Sequence, residues 1–424
     1  MKKIILVGCG DRGHAYTKYA LAHPDEMQVC AIVEPNDFRR KEAQKLFNVS
    51  PEYCFTNVDD CVKLGRFADG VINATMDSLH IVTATPFLKL GYTMMLEKPV
   101  TNNKKELDEL KRCADEHGAK LMICHVLRYT PFYLGIKKVL LSGEIGDIVA
   151  METSETVSVA HASCSYIRGK WNNRKKCGSS MLLAKCCHDA DLLCWFNSGT
   201  APKKVASMGG RHYFIPANAP EGAGKRCLVD CKIEKDCPYS CRKIVLENDF
   251  FPQLAWDCIE KPLQDITKEE KIRSLETFNE HGKCIFKTDA DIVDRQMVLV
   301  EFENGSIASH SMISGVARAG RRLHIVGTRG EVEGFMEEGK YKVRTYNPDT
   351  LLYNEREVEI TGVEQGDGHG GGDSRIVKDF LCLLNGEPRS VSSTVIEDSL
   401  NGHYIVYAAD RSLDEGGVAI DITE

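Results

Sequence analysis

Lys98 and His188 have the surroundings best suited to acid–base work in this chain of 424 residues. Lys98 sits in Glu97-Lys98-Pro99, directly after the apolar run Thr93–Leu96. The C-terminal end of a parallel strand is where open α/β sheets bind ligands. An ammonium there can donate to a hydroxyl or carry its proton, whereas a solvated loop lysine would do neither. Pro99 favours the first reading, because a strained or cis Lys-Pro bond would fix the direction of the side chain. His188 lies in the apolar segment Ser180–Phe196, with Asp191 three residues on. On a helix that spacing brings the two side chains together, so Asp191 could orient the imidazole and free its other nitrogen for a hydroxyl proton. The plainer alternative is a histidine satisfied within a core.

Three further groups carry donors in dense patterns. His161 precedes Tyr166-Ile167-Arg168-Gly169-Lys170-Trp171, where aromatic planes alternate with cations. This suits sugar hydroxyls or an anion, and equally an ordinary surface loop. His125, Arg128 and Tyr129 follow the last strand of the first half and are read with them as substrate-facing. His369 stands in the glycine run Gly366–Asp373, which implies either close backbone packing or a loop over a site. Cys227, Cys231, Cys237 and Cys241 place four thiols within fifteen residues. They could wrap one structural Zn2+, although the spacing is not the usual C-x2-C pair.

The elements that position these residues begin at the N-terminus. Ile4–Val7 runs into Gly8-Cys9-Gly10-Asp11-Arg12-Gly13, and Val29–Val33 ends on Glu34, 21 residues beyond Gly13. Strand, glycine turn, helix, strand and carboxylate is the order of a dinucleotide fingerprint. Gly8 makes the turn, Gly10 admits a pyrophosphate and Gly13 lets the helix pack, while the helix N-terminus favours the anion. Asp11 and Arg12 lie in the same turn. Glu34 would bind the adenine ribose and repel a 2′-phosphate, which raises NAD above NADP; Arg39 and Arg40 nearby keep NADP open. Thr75, His80 and Glu97 stand at neighbouring strand ends and are read as lining the same nucleotide.

Helical patterns at Asp37–Phe47, His80–Leu90 and Lys104–His117 alternate with apolar runs at Gly70–Thr75, Thr93–Leu96 and Lys120–Cys124. That alternation predicts parallel βαβ units and a dinucleotide-binding domain over 1–125. Beyond it, strand patterns follow one another at Ile148–Val157, Met297–Glu303, Ser306–Ser311, Arg322–Val326, Val332–Phe335, Tyr341–Tyr346 and Arg356–Thr361. Residues 126–424 therefore read as an α+β domain with a mostly antiparallel sheet, and 211–285 as an insertion. Asn304-Gly305 marks a hairpin.

Composition sets the class. With 43% hydrophobic and 27% charged residues the chain is an ordinary globular protein. A net charge of −7 without a long basic block argues against nucleic acid and anionic membranes as partners. No apolar run approaches the ~20 residues that span a bilayer. The short apolar stretch after Lys2-Lys3 is too brief for a signal peptide, so a cytoplasmic location is expected. The 18 cysteines then read as reduced thiols.

Together, Gly8–Gly13, Glu97-Lys98-Pro99, Cys187-His188-Asp189-Ala190-Asp191 and the turn Gly327-Thr328-Arg329-Gly330 resemble the glucose–fructose oxidoreductase, inositol dehydrogenase and rhizopine-catabolism family (Gfo/Idh/MocA) over nearly the whole chain. The resemblance implies a Rossmann domain followed by an α/β domain whose sheet serves oligomer contacts, hence a homodimer or homotetramer. It places Lys98 by the nicotinamide and the substrate hydroxyl, and His188 as acid/base. Family dehydrogenases commonly carry an aspartate four residues before that histidine; here the position is Ala184, with Lys185 beside it. Three functions follow from the resemblance. The first is hydride transfer at a secondary hydroxyl of a sugar, cyclitol or glycoside. The second is redox-neutral glycoside cleavage, since the segments around Arg168–Trp171 and His369–Gly371 look like those of relatives that handle glycosides. The third is a dinucleotide-sensing regulator.

Overall fold

The computed structural model describes residues 1–362 and 368–422; Gly366 and Asp367 of the glycine run lie outside them. The first half alternates β1 (Lys2–Val7), α1 (Asp11–Ala22), β2 (Met27–Val33), α2 (Asp37–Phe47), β3 (Cys54–Phe55) and β4 (Gly70–Asn73). It continues with α3 (His80–Lys89), β5 (Thr93–Leu96), α4 (Lys104–Glu116) and β6 (Leu121–Ile123). All six strands run parallel in the order β3-β2-β1-β4-β5-β6. A sheet covered on both faces needs apolar residues at every position, and Ile4, Ile5, Leu6 and Val7 are all buried. Local chemistry sets the helix starts: Asn36 and Asn103 each cap a helix by accepting from its first-turn N–H groups.

The second half contains α5 (Pro131–Leu141), β7 (Ile148–Ser158), α6 (Met181–Phe196), β8 (Pro202–Gly210), β9 (Arg295–Phe302) and β10 (Ile307–Val316). It proceeds through β11 (Gly320–Gly327), β12 (Gly330–Phe335), β13 (Lys340–Asn347) and β14 (Leu352–Glu359), and ends with α7 (Gly368–Leu384), α8 (Ile396–Asp414) and β15 (Ile420–Asp421). Nine strands form one sheet, β14-β13-β12-β11-β7-β10-β9-β8-β15, antiparallel except where β7 pairs with β10. The hairpin at Asn304-Gly305 is present, with Gly305 at φ 85°. Helix α6 is buried on all sides except at Lys185, packed between this sheet and α8. It is an internal helix, which explains its lack of a polar face.

Three features differ from the sequence-based expectation. Strand β8 was not anticipated, because Lys203, Lys204, Gly209 and Gly210 interrupt its apolar pattern; its identity comes from pairing with β9. Strand β14 begins four residues before Arg356. The chain end also returns to the first half. Ile376, Val377, Phe380 and Leu381 of α7 complete the core beneath β1, and Ile123 N–H donates to Thr394. Residues 211–285 form no sheet; short turns and a nine-residue helix, Lys268–Glu276, enclose a small core around Trp256, Leu275, Cys227 and Cys241.

Arg128, in the turn that follows β6, ties α6 to the start of α8. Its Nε and Nη2 grip both oxygens of Asp191 at 2.7 and 2.5 Å, and the remaining donors reach the carbonyls of Ser393 and Asp398. Arg128 and Asp191 are each 1% exposed, so removing one partner strands a buried charge. Arg128→Met should lower unfolding free energy by about 3–5 kcal/mol, read as a fall in urea midpoint. A loss below about 1 kcal/mol would mean that water already reaches the pair.

Candidate active site

The turn after β1 has the geometry that a pyrophosphate requires. Gly8 lies at φ +86°, and a Cβ there would meet Ala74 O at 2.7 Å. Gly10, by contrast, faces open space, and α1 starts without any side-chain cap on its N–H groups. An uncapped helix N-terminus beside an open glycine is a cradle for an anion. At the end of β2, Glu34 is held by Cys9 N at 2.8 Å and Asn36 N at 2.9 Å, a fixed carboxylate suited to ribose hydroxyls. These residues fit a dinucleotide. Asp11 opens α1 beside them, and Thr75 bonds Asn73 Oδ1 at the end of β4.

Arg12 ties this turn to the rest of the site. Its Nε donates to Glu97 at 3.0 Å, while Nη1 and Nη2 hold Asp373 at 3.1 and 2.7 Å. Glu97 in turn accepts from Tyr16 and from the backbone N of Lys98. Asp373 meets His369 Nδ1 at 3.1 Å; burial pushes its carboxyl up, but the hydrogen bond with His369 and the Arg12 guanidinium outweigh this and keep it below the usual range. His369 sits at φ 50°, followed by Gly370 at 63° and Gly371 at 89°. This left-handed turn at the start of α7 is one that glycine neighbours allow and a Cβ at Gly368 would destroy, meeting Asp373 at 2.1 Å.

Lys98 and His188 come together across the cleft. The Lys98–Pro99 peptide is cis. Lys98 Nζ donates to the backbone carbonyl of Ala184 at 3.0 Å, so the position that carries aspartate in family dehydrogenases here offers a main-chain oxygen. His188 is 5% exposed, and its Nδ1 has no hydrogen-bond partner. Burial first, then the charge of Lys98, holds its imidazole well below the ordinary histidine range. It therefore stands neutral and able to accept a proton. His369 lies on one side of it at 6.2 Å between ring centroids and His125 on the other at 5.7 Å. His161, stacked on Tyr166, is pushed down to about 2 by burial and by Lys185 and Arg321. Tyr166 is buried against Trp171, whose indole N–H reaches Asp77. Lys185 pairs with Glu155 at 3.0 Å, and Arg321 spans Glu155 and Asp189 at 2.9 Å each.

Several anticipated roles are corrected by what surrounds the side chains. Asp191 does not orient His188, because Arg128 takes both its oxygens. Arg128, for the same reason, presents no donor to the cleft. Tyr129 is 4% exposed and donates to Asp379 at the back of the first core. His125 is 1% exposed, sandwiched between His188 and His403. Arg168 is spent on the insertion, bonding Lys283 O, Ser163 Oγ, Tyr239 O and Cys227 Sγ. His80 is fully buried between the carbonyls of Thr75 and Pro99, supporting the nucleotide loops from behind.

The structure does not show the four-thiol zinc site. Among the described residues, Cys186, Asp189 and His310 are the only three donors within 4.8 Å of one another, and Asp189 is already paired. Cys227, Cys231 and Cys237 line one small cavity together with Cys284, and the Cys241 thiol bonds Cys227, a contact that pulls Cys227 downwards. No three of the four thiols lie within 4.8 Å of one another, so no closed tetrahedral site is formed.

Asp373, Glu155 and Arg321 were absent from the sequence-based site. The spacing of Asp373 four residues after His369 was a usable signal. Glu155 and Arg321 had none, since they meet only by cross-strand register between β7 and β11.

Five buried histidines, His125, His188, His281, His310 and His403, are all lowered chiefly by burial, His281 and His403 to about 4. The unfolded chain takes up protons near pH 6.5 and the native one does not, so stability falls as pH drops below that value. Each contributes about 1.4 kcal/mol per pH unit until its folded value is reached. The urea midpoint should fall clearly between pH 7.5 and 5.5; an unchanged midpoint would show that these rings are protonated in the native state.

The chain matches a family model described as "Oxidoreductase family, NAD-binding Rossmann fold" over residues 2–125, and its partner "Oxidoreductase family, C-terminal alpha/beta domain" over 137–387. It is 25% identical over 370 residues to "Putative oxidoreductase YteT" of Bacillus subtilis (strain 168), covering 85% of this chain and 80% of that protein. It is 29% identical over 155 residues to scyllo-inositol 2-dehydrogenase (NADP(+)) IolW of the same organism, covering 36% of this chain and 41% of the relative. The fold superimposes on an inositol dehydrogenase homologue of Azotobacter vinelandii complexed with NAD+ at a TM-score of 0.68 and 15% identity, covering 99% of this chain and 97% of that one. A levoglucosan dehydrogenase complexed with NADH and L-sorbose gives 0.70 at 17% identity, over 99% and 98% of the two chains. Among the described residues no helix is long and apolar enough to cross a membrane. Matched by both domain models over most of its length, and carrying the glycine turn, Lys98 and His188, the chain belongs to the Gfo/Idh/MocA oxidoreductase family.

Proposed function

We propose that the protein is an NAD-dependent dehydrogenase acting at a secondary hydroxyl of a sugar, cyclitol or glycoside. The observation that carries this reading is Lys98, anchored on Ala184 O, beside the neutral His188. A nicotinamide, when bound, supplies the hydride acceptor. The residues of the chain do the rest. Lys98 donates to the substrate oxygen and holds it, and His188 takes the hydroxyl proton as the carbonyl forms. The aromatic planes of Tyr166 and Trp171, with Lys185 and His161, offer the sugar-facing wall. Relatives named for inositol and levoglucosan support the class of substrate.

A second reading is favoured by the His369–Asp373 pair, which adds a base that simple oxidation does not need. In redox-neutral glycoside cleavage, a transient ketone acidifies the adjacent C–H. His369 would remove that proton, the aglycone would leave, and water and hydride would be returned. Lys98→Ala should lower turnover by at least a hundredfold while NADH still binds within about threefold. Unchanged turnover would remove Lys98 from the chemistry. The same assay separates the two readings: NADH formed in proportion to substrate supports oxidation, and aglycone released without NADH supports cleavage.

A homo-oligomer joined through the large sheet is also proposed. Met208, Met297, Leu299 and Ile307 share the outward face of β8, β9 and β10 and are 57–69% exposed. A second copy of the same face would cover this apolar patch. The double variant Met297→Asp, Leu299→Asp should sediment as a monomer; an unchanged sedimentation coefficient would place the interface elsewhere.

A further inference from the structure

The insertion reaches back over the adenosine end of the nucleotide turn. Two arginines in the first turn of α2 flank Glu34, and such cations are what a 2′-phosphate would need. Neither is free. Arg40 spends Nη1 on the carbonyls of Glu34 and Pro35 at 2.8 and 3.2 Å, and Nη2 on Asp37 at 2.5 Å. Arg39 Nη2 is paired with Asp257, 218 residues away in the insertion. Glu260, in the same turn of the insertion, accepts from Asn36 Nδ2 at 2.7 Å. Glu260 adopts φ 54°, a left-handed backbone that a non-glycine residue seldom takes, as the chain bends onto α2. Two remote carboxylates thus converge on the stretch following Glu34. Lys170, with its ammonium 5.1 Å from the ring centre of Trp171, lies within the field of Asp257 and Arg39 as a further cation.

The arrangement decides between two cofactors that differ by one dianion. A 2′-phosphate is held by a guanidinium able to turn its donors on it. To recruit Arg39 the phosphate would have to displace Asp257, then sit between that freed carboxylate and Glu34. An unphosphorylated ribose asks nothing of Arg39, and Glu34 can accept its hydroxyls directly. The Arg39–Asp257 pair is about one-third exposed on each side, so on its own it is weakly held. The selection lies in the repulsion of a dianion by two carboxylates.

We propose that Asp257 is a specificity-determining residue: by occupying Arg39 from the insertion, it closes the ribose pocket to a 2′-phosphate and makes the chain selective for NAD(H) over NADP(H). This rests on the dinucleotide reading given under the proposed function. Fluorescence titration of the full chain with NADH and with NADPH tests it without any turnover. The unaltered protein should bind NADPH at least thirtyfold more weakly than NADH. Asp257→Asn should tighten NADPH at least tenfold while NADH stays within threefold, and adding Arg39→Ala should erase the gain. Retained NADH affinity also shows that the variants fold. If NADH binds and Asp257→Asn leaves the NADPH-to-NADH ratio unchanged, Asp257 has no such role. If the unaltered chain binds neither nucleotide, the dinucleotide reading itself fails and this proposal falls with it.

Discussion

A single guanidinium holds the candidate site in register. Arg12 sits in the glycine turn, yet its donors are shared between Glu97, at the end of β5, and Asp373, at the start of α7. Through Glu97 it fixes the backbone of Lys98; through Asp373 it fixes His369. Lysine has no planar fork that could span two carboxylates in this way. Tyr16 supports the arrangement from beneath, with its ring 4.5 Å from the guanidinium and its hydroxyl on Glu97. The nucleotide turn, the lysine and the histidine loop are therefore one mechanical unit, although they lie far apart in the chain.

Burial does a second job around that unit. His188, His125 and His403 pack edge to face in the interior, and desolvation keeps them neutral where solvent would let them charge. A neutral imidazole beside an ammonium is the combination that can take a hydroxyl proton while the oxygen is still held. Ala184 contributes by what it lacks: with no carboxylate at that position, Lys98 Nζ rests on a main-chain carbonyl. The nearest compensating network, Lys185–Glu155–Arg321–Asp189, lies on the sheet side of α6.

The side chains that surprised were mainly cations and their partners. Arg128, Arg168 and His80 carry the donors that a sequence-based search for binding sites favours, and each is consumed internally. Their acceptors are predominantly backbone carbonyls and acids brought in by distant elements, so no local pattern could announce the pairing. The four cysteines followed the same logic. Their spacing invited a metal, but in the fold the Cys241 thiol bonds Cys227 and no three of the four lie within 4.8 Å of one another. Arg39 shows the effect in the other direction, because its partner Asp257 comes from a segment with no strand or helix pattern to place it.

What the sequence determined alone is what contiguous residues encode. The turn Gly8–Gly13 with its flanking strands, the carboxylate at Glu34, the hairpin at Asn304-Gly305 and the motif around Lys98 and His188 depend on local backbone geometry and on periodicity within one element. These were sufficient for the parallel half, the antiparallel half and the family. Tertiary structure decided which polar groups face the cleft and which are satisfied inside. A guanidinium or imidazole has no intrinsic role; its role is set by whichever acceptors the fold delivers within about 3 Å. That is a matter of long-range packing, and here it gathered residues 12, 97 and 373 at one point.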